Sequence, residues 1–224
     1  GPGITLGELA PVLEGHRFTY RFVQGAIDRA KRLCELTILA PSAPQPTTPG
    51  EFLAAGDQAW ALRCFRELDD ALLRLRFNEP EIGTVIVRTA GDPAAVLAVD
   101  ETLATHQDHW LVREIIGQIR RTLKRMDLTA RSFFAVIEPG NAFAGTLFEL
   151  ALAADRSFML DDPDESNTIQ LSVMNRGFYP MSNGLSRLER RFLGEPASVT
   201  AALDHGGPFD PQEALGAGLV FGAP

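Results

Sequence analysis

The apolar pattern of this chain changes period repeatedly, and that change is what most constrains its fold. Phe18, Tyr20 and Phe22 alternate with Thr19, Arg21 and Val23, the two-residue period of a strand. Asp28-Arg29-Ala30-Lys31 is polar and turn-like, and Leu33 to Leu39 resumes an extended run before Ala40-Pro41. The two runs are expected to form an antiparallel hairpin. From about Asp57 the period becomes helical, with Ala61, Cys64, Phe65, Leu68, Leu72 and Leu75 on one face. That helix is expected to end at Asn78-Glu79-Pro80, because proline disfavours helix in the residue before it. Thr84 to Val87 reads as a short strand, His109 to Met126 as a second amphipathic helix, and Phe133 to Ile137 as a buried strand. A helix follows over about Thr146 to Ala154, then a strand candidate at Phe158 to Leu160. Strand and helix in alternation are the signature of right-handed βαβ units, so the fold class is α/β.

The chain has 224 residues, of which 45% are hydrophobic, enough for one sizeable core. Residues 4–224 are therefore expected to form a single domain, and Gly1-Pro2-Gly3 reads as a scar left by expression. The proline-rich stretch from Pro41 to Gly50 is expected to be a stiff surface loop, not a linker. A net charge of −8 argues against nucleic-acid binding, which needs a basic surface. No apolar run approaches the roughly 20 residues of a membrane span. Cys34 and Cys64 read as small buried hydrophobes, which fits a reducing, cytoplasmic setting. The histidines show no metal-ligand spacing, and no metal is expected; His106, His109 and Trp110 read as cap, surface or core residues.

The segment from Phe133 to Asp155 runs from a strand through small residues into a helix. A helix start presents unpaired N–H groups and the positive end of a dipole, and such donors stabilise an enolate or tetrahedral oxyanion. Gly145 permits either close approach to a ligand or close packing of helix on strand. Glu149-Leu150-Ala151 and Asp155 in this segment resemble the signature of the crotonase superfamily, the enoyl-CoA hydratases and isomerases. Arg66-Glu67-Leu68-Asp69-Asp70, Gly83-Thr84-Val85-Ile86-Val87 and Glu213-Ala214-Leu215-Gly216-Ala217-Gly218-Leu219-Val220 follow in family order. Five further runs are similar to the second crotonase-like half of benzoyl-CoA-dihydrodiol lyases: Ile27 to Arg32, Asp108 to Glu114, Ile137 to Gly140, Phe143 to Thr146 and Gly177 to Pro180.

The resemblance implies a crotonase (ClpP-like) spiral of ββα units, ending before the C-terminal helical region of ordinary members. It implies an acyl-CoA thioester as ligand, with coenzyme A arriving as part of the substrate and no separate cofactor. It further implies ring cleavage of an oxygenated benzoyl-CoA with formate release by the parent protein. The expected partners are a first crotonase-like half of the same parent chain and further copies of the protein.

The family's two oxyanion donors, one in a loop after a strand and one near a helix start, map to the backbone N–H groups of Val99, in Leu97-Ala98-Val99-Asp100, and of Thr146. Its first acid/base glutamate maps to Glu149, and burial would raise that pKa toward neutrality. Its second maps to Val173, which exchanges no proton, so this half is expected to be catalytically degenerate. The alternative is an active hydratase- or isomerase-type enzyme working with Glu149 and the oxyanion pair alone. Arg29, Lys31 and Arg32 are the expected contacts for the phosphates of coenzyme A, with a solvated turn as the plainer reading. Asn175 and Asn183 are expected in loop and cap roles.

Overall fold

Alternate burial along short strands builds the sheet. In the computed structural model, which describes residues 3–224, seven strands lie in sequence order. They are β1 (Val12–Glu14), β2 (Arg17–Thr19), β3 (Val23–Asp28), β4 (Leu33–Leu39), β5 (Thr84–Ala90), β6 (Ser132–Ile137) and β7 (Arg156–Met159). Pairing is antiparallel from β1 to β4 and parallel from β4 to β7, with Cys34 opposite Val85 and Val85 opposite Phe133. Cys34, Leu36 and Ile38, then Val85 and Val87, then Phe133, Ala135 and Ile137 point into the core. Both cysteines are buried and free.

Among the described residues eight α-helices follow or interrupt the strands: α1 (Pro49–Ala55), α2 (Trp60–Asn78), α3 (Pro93–Thr105), α4 (Trp110–Asp127), α5 (Gly145–Ala153), α6 (Arg187–Arg191), α7 (Pro196–Leu203) and α8 (Pro211–Gly216). The apolar faces of α2 and α4 pack on each other, and α2 also meets β3 and β4. Thr122 of α4 donates its hydroxyl to the Phe65 carbonyl of α2, tying the two helices where no water reaches.

Two expectations are corrected. The strand read over Phe18 to Val23 is broken at residues 20–22, and the partner of β4 is Val23–Asp28. The break has a cause in α2: the Phe22 N–H donates to the buried Glu67 carboxylate, and the Tyr20 hydroxyl to Asp70. Gly25 lets this happen, because a Cβ there would sit 2.0 Å from the Phe18 ring lying across it. The second correction concerns Leu97 to Asp100, expected in a loop. They belong to α3, which starts directly after β5 because Asp92 caps the Ala94 N–H and Pro93 supplies the first helical turn.

The parallel strands thus deliver three connections to one end of the sheet: the loop after β4, the turn after β5 and the loop from β6 into α5. Ligands of α/β sheets bind at that carboxyl end. Of the expected scar, Gly3 is exposed and residues 1 and 2 lie outside the described part. No helix among the described residues is long and apolar enough to cross a membrane.

Candidate functional site

The start of α5 is where the family chemistry is expected, and the chain's own side chains occupy it. Ala144 is extended and Gly145 takes φ +45°, and the second N–H of the helix, at Thr146, turns toward α3. It donates to Asp100 Oδ2 at 2.8 Å. Thr146 Oγ1 reaches Asp100 Oδ1 at 2.5 Å, and Ser172 Oγ reaches Oδ2 at 2.6 Å. Asp100 has no exposed surface, and a Cβ on Gly145 would lie 1.8 Å from its Oδ2. The glycine therefore serves close approach of a side chain of this chain to the helix start. Burial pushes the Asp100 carboxyl up to about 7, although the Ser172 and Thr146 donors favour its charged form.

Val99 does not complete an oxyanion pair. It lies in the second turn of α3, where its N–H belongs to the helix ladder. The amides of Val99 and Thr146 thus share no ligand position: one is spent within a helix and the other on Asp100.

Glu149 stands one turn further along α5, 2% exposed. Its Oε1 accepts from Asn175 Nδ2 at 2.8 Å, and its Oε2 from Arg187 Nη1 at 3.0 Å. The same guanidinium grips Asp127, at the end of α4, through Nε at 3.1 Å and Nη2 at 2.6 Å. Arg187 also donates to the Tyr179 carbonyl at 3.0 Å, so four of its five N–H groups are engaged in the interior. Burial raises the Glu149 pKa, with the Arg187 charge opposing. A carboxylate held by a buried arginine that is itself shared with a second carboxylate is a structural triad.

The two clusters touch. Asn175 Nδ2 also donates to the Gly145 carbonyl at 3.1 Å, and the Tyr179 hydroxyl lies 2.9 Å from Thr146 Oγ1. Burial raises the Tyr179 phenol well above its ordinary value. Val173 opens a short 3-10 turn through Asn175, capped by Ser172. Asn175 thus carries both the cap role and the contact to Glu149, whereas Asn183 only accepts the Leu185 N–H in a turn.

An open hollow of about 540 Å³ lies between the proline-rich loop and α3. Pro41, Pro44, Ala95, Ala98, Val99 and Thr102 are among its lining residues; Glu149 and Thr146 are not, and neither is any Arg or Lys. Arg29, Lys31 and Arg32 do not supply the missing charge. They lie on the turn between β3 and β4, at the amino end of the parallel strands and the opposite end from α5. Arg29 pairs there with Glu79 and Glu81, Lys31 with Asp28, and Arg32 Nε donates to the Glu81 carbonyl. Of the other residues weighed from sequence, His109 occupies the N-cap position of α4 without a side-chain cap bond, His106 Nε2 meets the Thr47 carbonyl at 3.0 Å, and Trp110 packs against the core.

Asp100, Asp127, Ser172, Tyr179 and Arg187 were not singled out by sequence reasoning. Ser186-Arg187-Leu188-Glu189 does carry a legible capping box, with Ser186 and Glu189 bonded reciprocally. That box starts a helix but does not announce that its first residue turns inward.

No protein-family model matches the chain. It is 46% identical over 223 residues to a benzoyl-CoA-dihydrodiol lyase of Aromatoleum evansii, covering 99% of this chain but 40% of that relative. Its fold matches an enoyl-CoA hydratase/carnithine racemase from Magnetospirillum magneticum with a TM-score of 0.62 at 18% identity, over 93% of this chain and 69% of the other. An enoyl-CoA hydratase from Bacillus halodurans matches with a TM-score of 0.58 at 15% identity, over 91% and 73%. The fold is the crotonase fold, and the chain spans less than half the length of the lyase it resembles.

Proposed function

We propose that this domain is a crotonase-like half of a protein acting as a benzoyl-CoA-dihydrodiol lyase, and that it is the half without chemistry. The parent activity would be ring cleavage of an oxygenated benzoyl-CoA with release of formate. This domain would support a catalytic half of the same parent. One observation carries the reading: the carboxylate of Asp100 takes the Thr146 N–H that a thioester oxygen would need. Ejecting a buried, triply bonded carboxyl to admit a ligand oxygen is costly, because its hydrogen bonds have no replacement. Two further facts support it. By the family resemblance Val173 takes the place of the second carboxylate, and the hollow beside α3 offers no cation to the phosphates of coenzyme A. The 46% identity to the lyase supports the parent assignment.

Titration calorimetry with benzoyl-CoA and crotonyl-CoA tests this on the 224-residue chain. We expect no turnover and no saturable acyl-dependent binding, that is, no difference between each thioester and free coenzyme A. Acyl-dependent binding together with turnover that disappears in Glu149→Gln would replace the reading with an active one-carboxylate enzyme.

A further inference from the structure

A second hollow, of about 640 Å³, lies away from the proline-rich loop, between the end of α5, the start of β7, α6 and the C-terminal segment. Arg156, Arg190 and Arg191 line it, with Arg187 at its floor turned inward to Glu149 and Asp127. Arg156 and Arg190 are exposed and Arg191 is half-buried. Acidic residues outnumber basic ones in this chain, 29 to 21. Seven arginines elsewhere, Arg187 included, meet a carboxylate. Among the described residues, Arg156, Arg190 and Arg191 form no ion pair. The one carboxylate lining the hollow, Asp155, is engaged by the Phe133 N–H at 2.8 Å.

Two of the three guanidinium groups are also held in place. Those of Arg156 and Arg191 lie over the Phe221 ring, 4.7 and 4.5 Å from its centroid. Arg191 Nη2 donates to the Leu219 carbonyl at 3.0 Å and to Ser157 Oγ at 3.3 Å, and Arg156 Nη1 to the Asp155 carbonyl at 2.8 Å. Burial and the charge of Arg156 lower the Arg191 pKa to about 10, so the like charges sit together at a cost. An anion between them would relieve that cost.

We propose that this hollow is an anion site for the phosphate group of a small phosphorylated molecule. Three guanidinium groups reaching from β7 and α6 match the three terminal oxygens of a phosphomonoester, each with donors to spare. The hollow exceeds what a bare phosphate needs and falls in the range of small-molecule sites. Phe192 and Phe221 offer apolar surface to the remainder of the ligand. The proposal does not depend on whether the domain is catalytic, because Glu149 and Asp100 take no part.

The test is calorimetry at low ionic strength with inorganic phosphate, phenyl phosphate and malonate. We expect saturable one-site binding of both phosphates, tighter for phenyl phosphate. It should weaken by about tenfold or more in Arg156→Gln/Arg190→Gln. Both side chains are exposed and removing Arg156 relieves its repulsion with Arg191, so the thermal midpoint without ligand should not fall. Arg29→Gln, at the far end of the sheet, should bind as the parent does. Absence of saturable binding would overturn the proposal, as would undiminished binding in the double variant or equal loss in Arg29→Gln. Malonate binding as tightly as phenyl phosphate would overturn the phosphate assignment.

Discussion

Asp100 and Glu149 are both buried carboxylates beside α5, held by opposite chemistries. Asp100 receives one amide and two hydroxyl donors and no cation. Glu149 receives a guanidinium and a carboxamide. Neutral donors leave desolvation the winner at Asp100, whose pKa reaches about 7. At Glu149 the Arg187 charge works against the same desolvation. Both carboxyls are shifted upward by burial, but only Glu149 faces a cation, whereas Asp100 is held by neutral donors alone. The first turns of α5 are thus where this chain holds both.

The comparison breaks most violently at Arg187. Replacing it by Met leaves Glu149 and Asp127 buried without their cation, and such a loss costs about 3–5 kcal/mol. Urea denaturation should show that drop, and adding Glu149→Gln to Arg187→Met should recover part of it. No recovery would mean that Glu149 does not depend on Arg187. The next effect is smaller and depends on pH. The folded pKa of Asp100, about 7, lies above the ordinary 3.8. Over that window the folded state holds a proton that the unfolded chain has released. The stability this contributes is full below about pH 4 and is lost as pH rises through 7. Asp100→Asn keeps an acceptor for the Thr146 N–H and a donor for the hydroxyls but does not titrate. Thermal midpoints measured from pH 5 to 8 should therefore favour the variant increasingly, by on the order of a few kcal/mol at the alkaline end. Parallel curves for the two proteins would show that Asp100 is charged throughout.

The parts of the fold that were legible in sequence are those where burial repeats. β4, β5 and β6 alternate Cys34-Leu36-Ile38, Val85-Val87 and Phe133-Ala135-Ile137 inward, and α2 and α4 carry continuous apolar stripes. α3 is rich in Ala, Val and Leu on several sides, so it has no stripe to find. Its start was nevertheless written in Asp92-Pro93, and the loop reading of Leu97 to Asp100 overrode a cap signal that was present. The clusters around α5 were mostly illegible for a different reason. Arg187 lies 38 residues from Glu149 and 60 from Asp127, and no local pattern encodes a contact at that range. The misplacement of Arg29, Lys31 and Arg32 was avoidable: a turn leading into β4 must sit at the amino end of the parallel strands. Glu149 itself was identified by resemblance, but its partners decide what it does.

The smallest effect is expected at Tyr179, and it tests whether the two carboxylate clusters act as separate units. Thr146 Oγ1 has one proton, and a carboxylate at 2.5 Å claims it, so the 2.9 Å contact with Tyr179 is made by the phenol donating to Thr146. Tyr179→Phe removes that donor and leaves Thr146 one bond short but still engaged. The Tyr179 carbonyl, which receives Arg187 Nη1, is backbone and survives the change. The loss should be about 0.5–1.5 kcal/mol, the net worth of one ordinary hydrogen bond. Because that bond polarises the hydroxyl facing Asp100, the variant should also shift the Asp100-dependent part of the pH profile upward. Combining Tyr179→Phe with Asp100→Asn should then give less than the sum of the single losses, whereas combining it with Arg187→Met should be additive. Coupling of equal size in both cycles would merge the two clusters into one network and dissolve the contrast between a carboxyl held by neutral donors and one held by a cation.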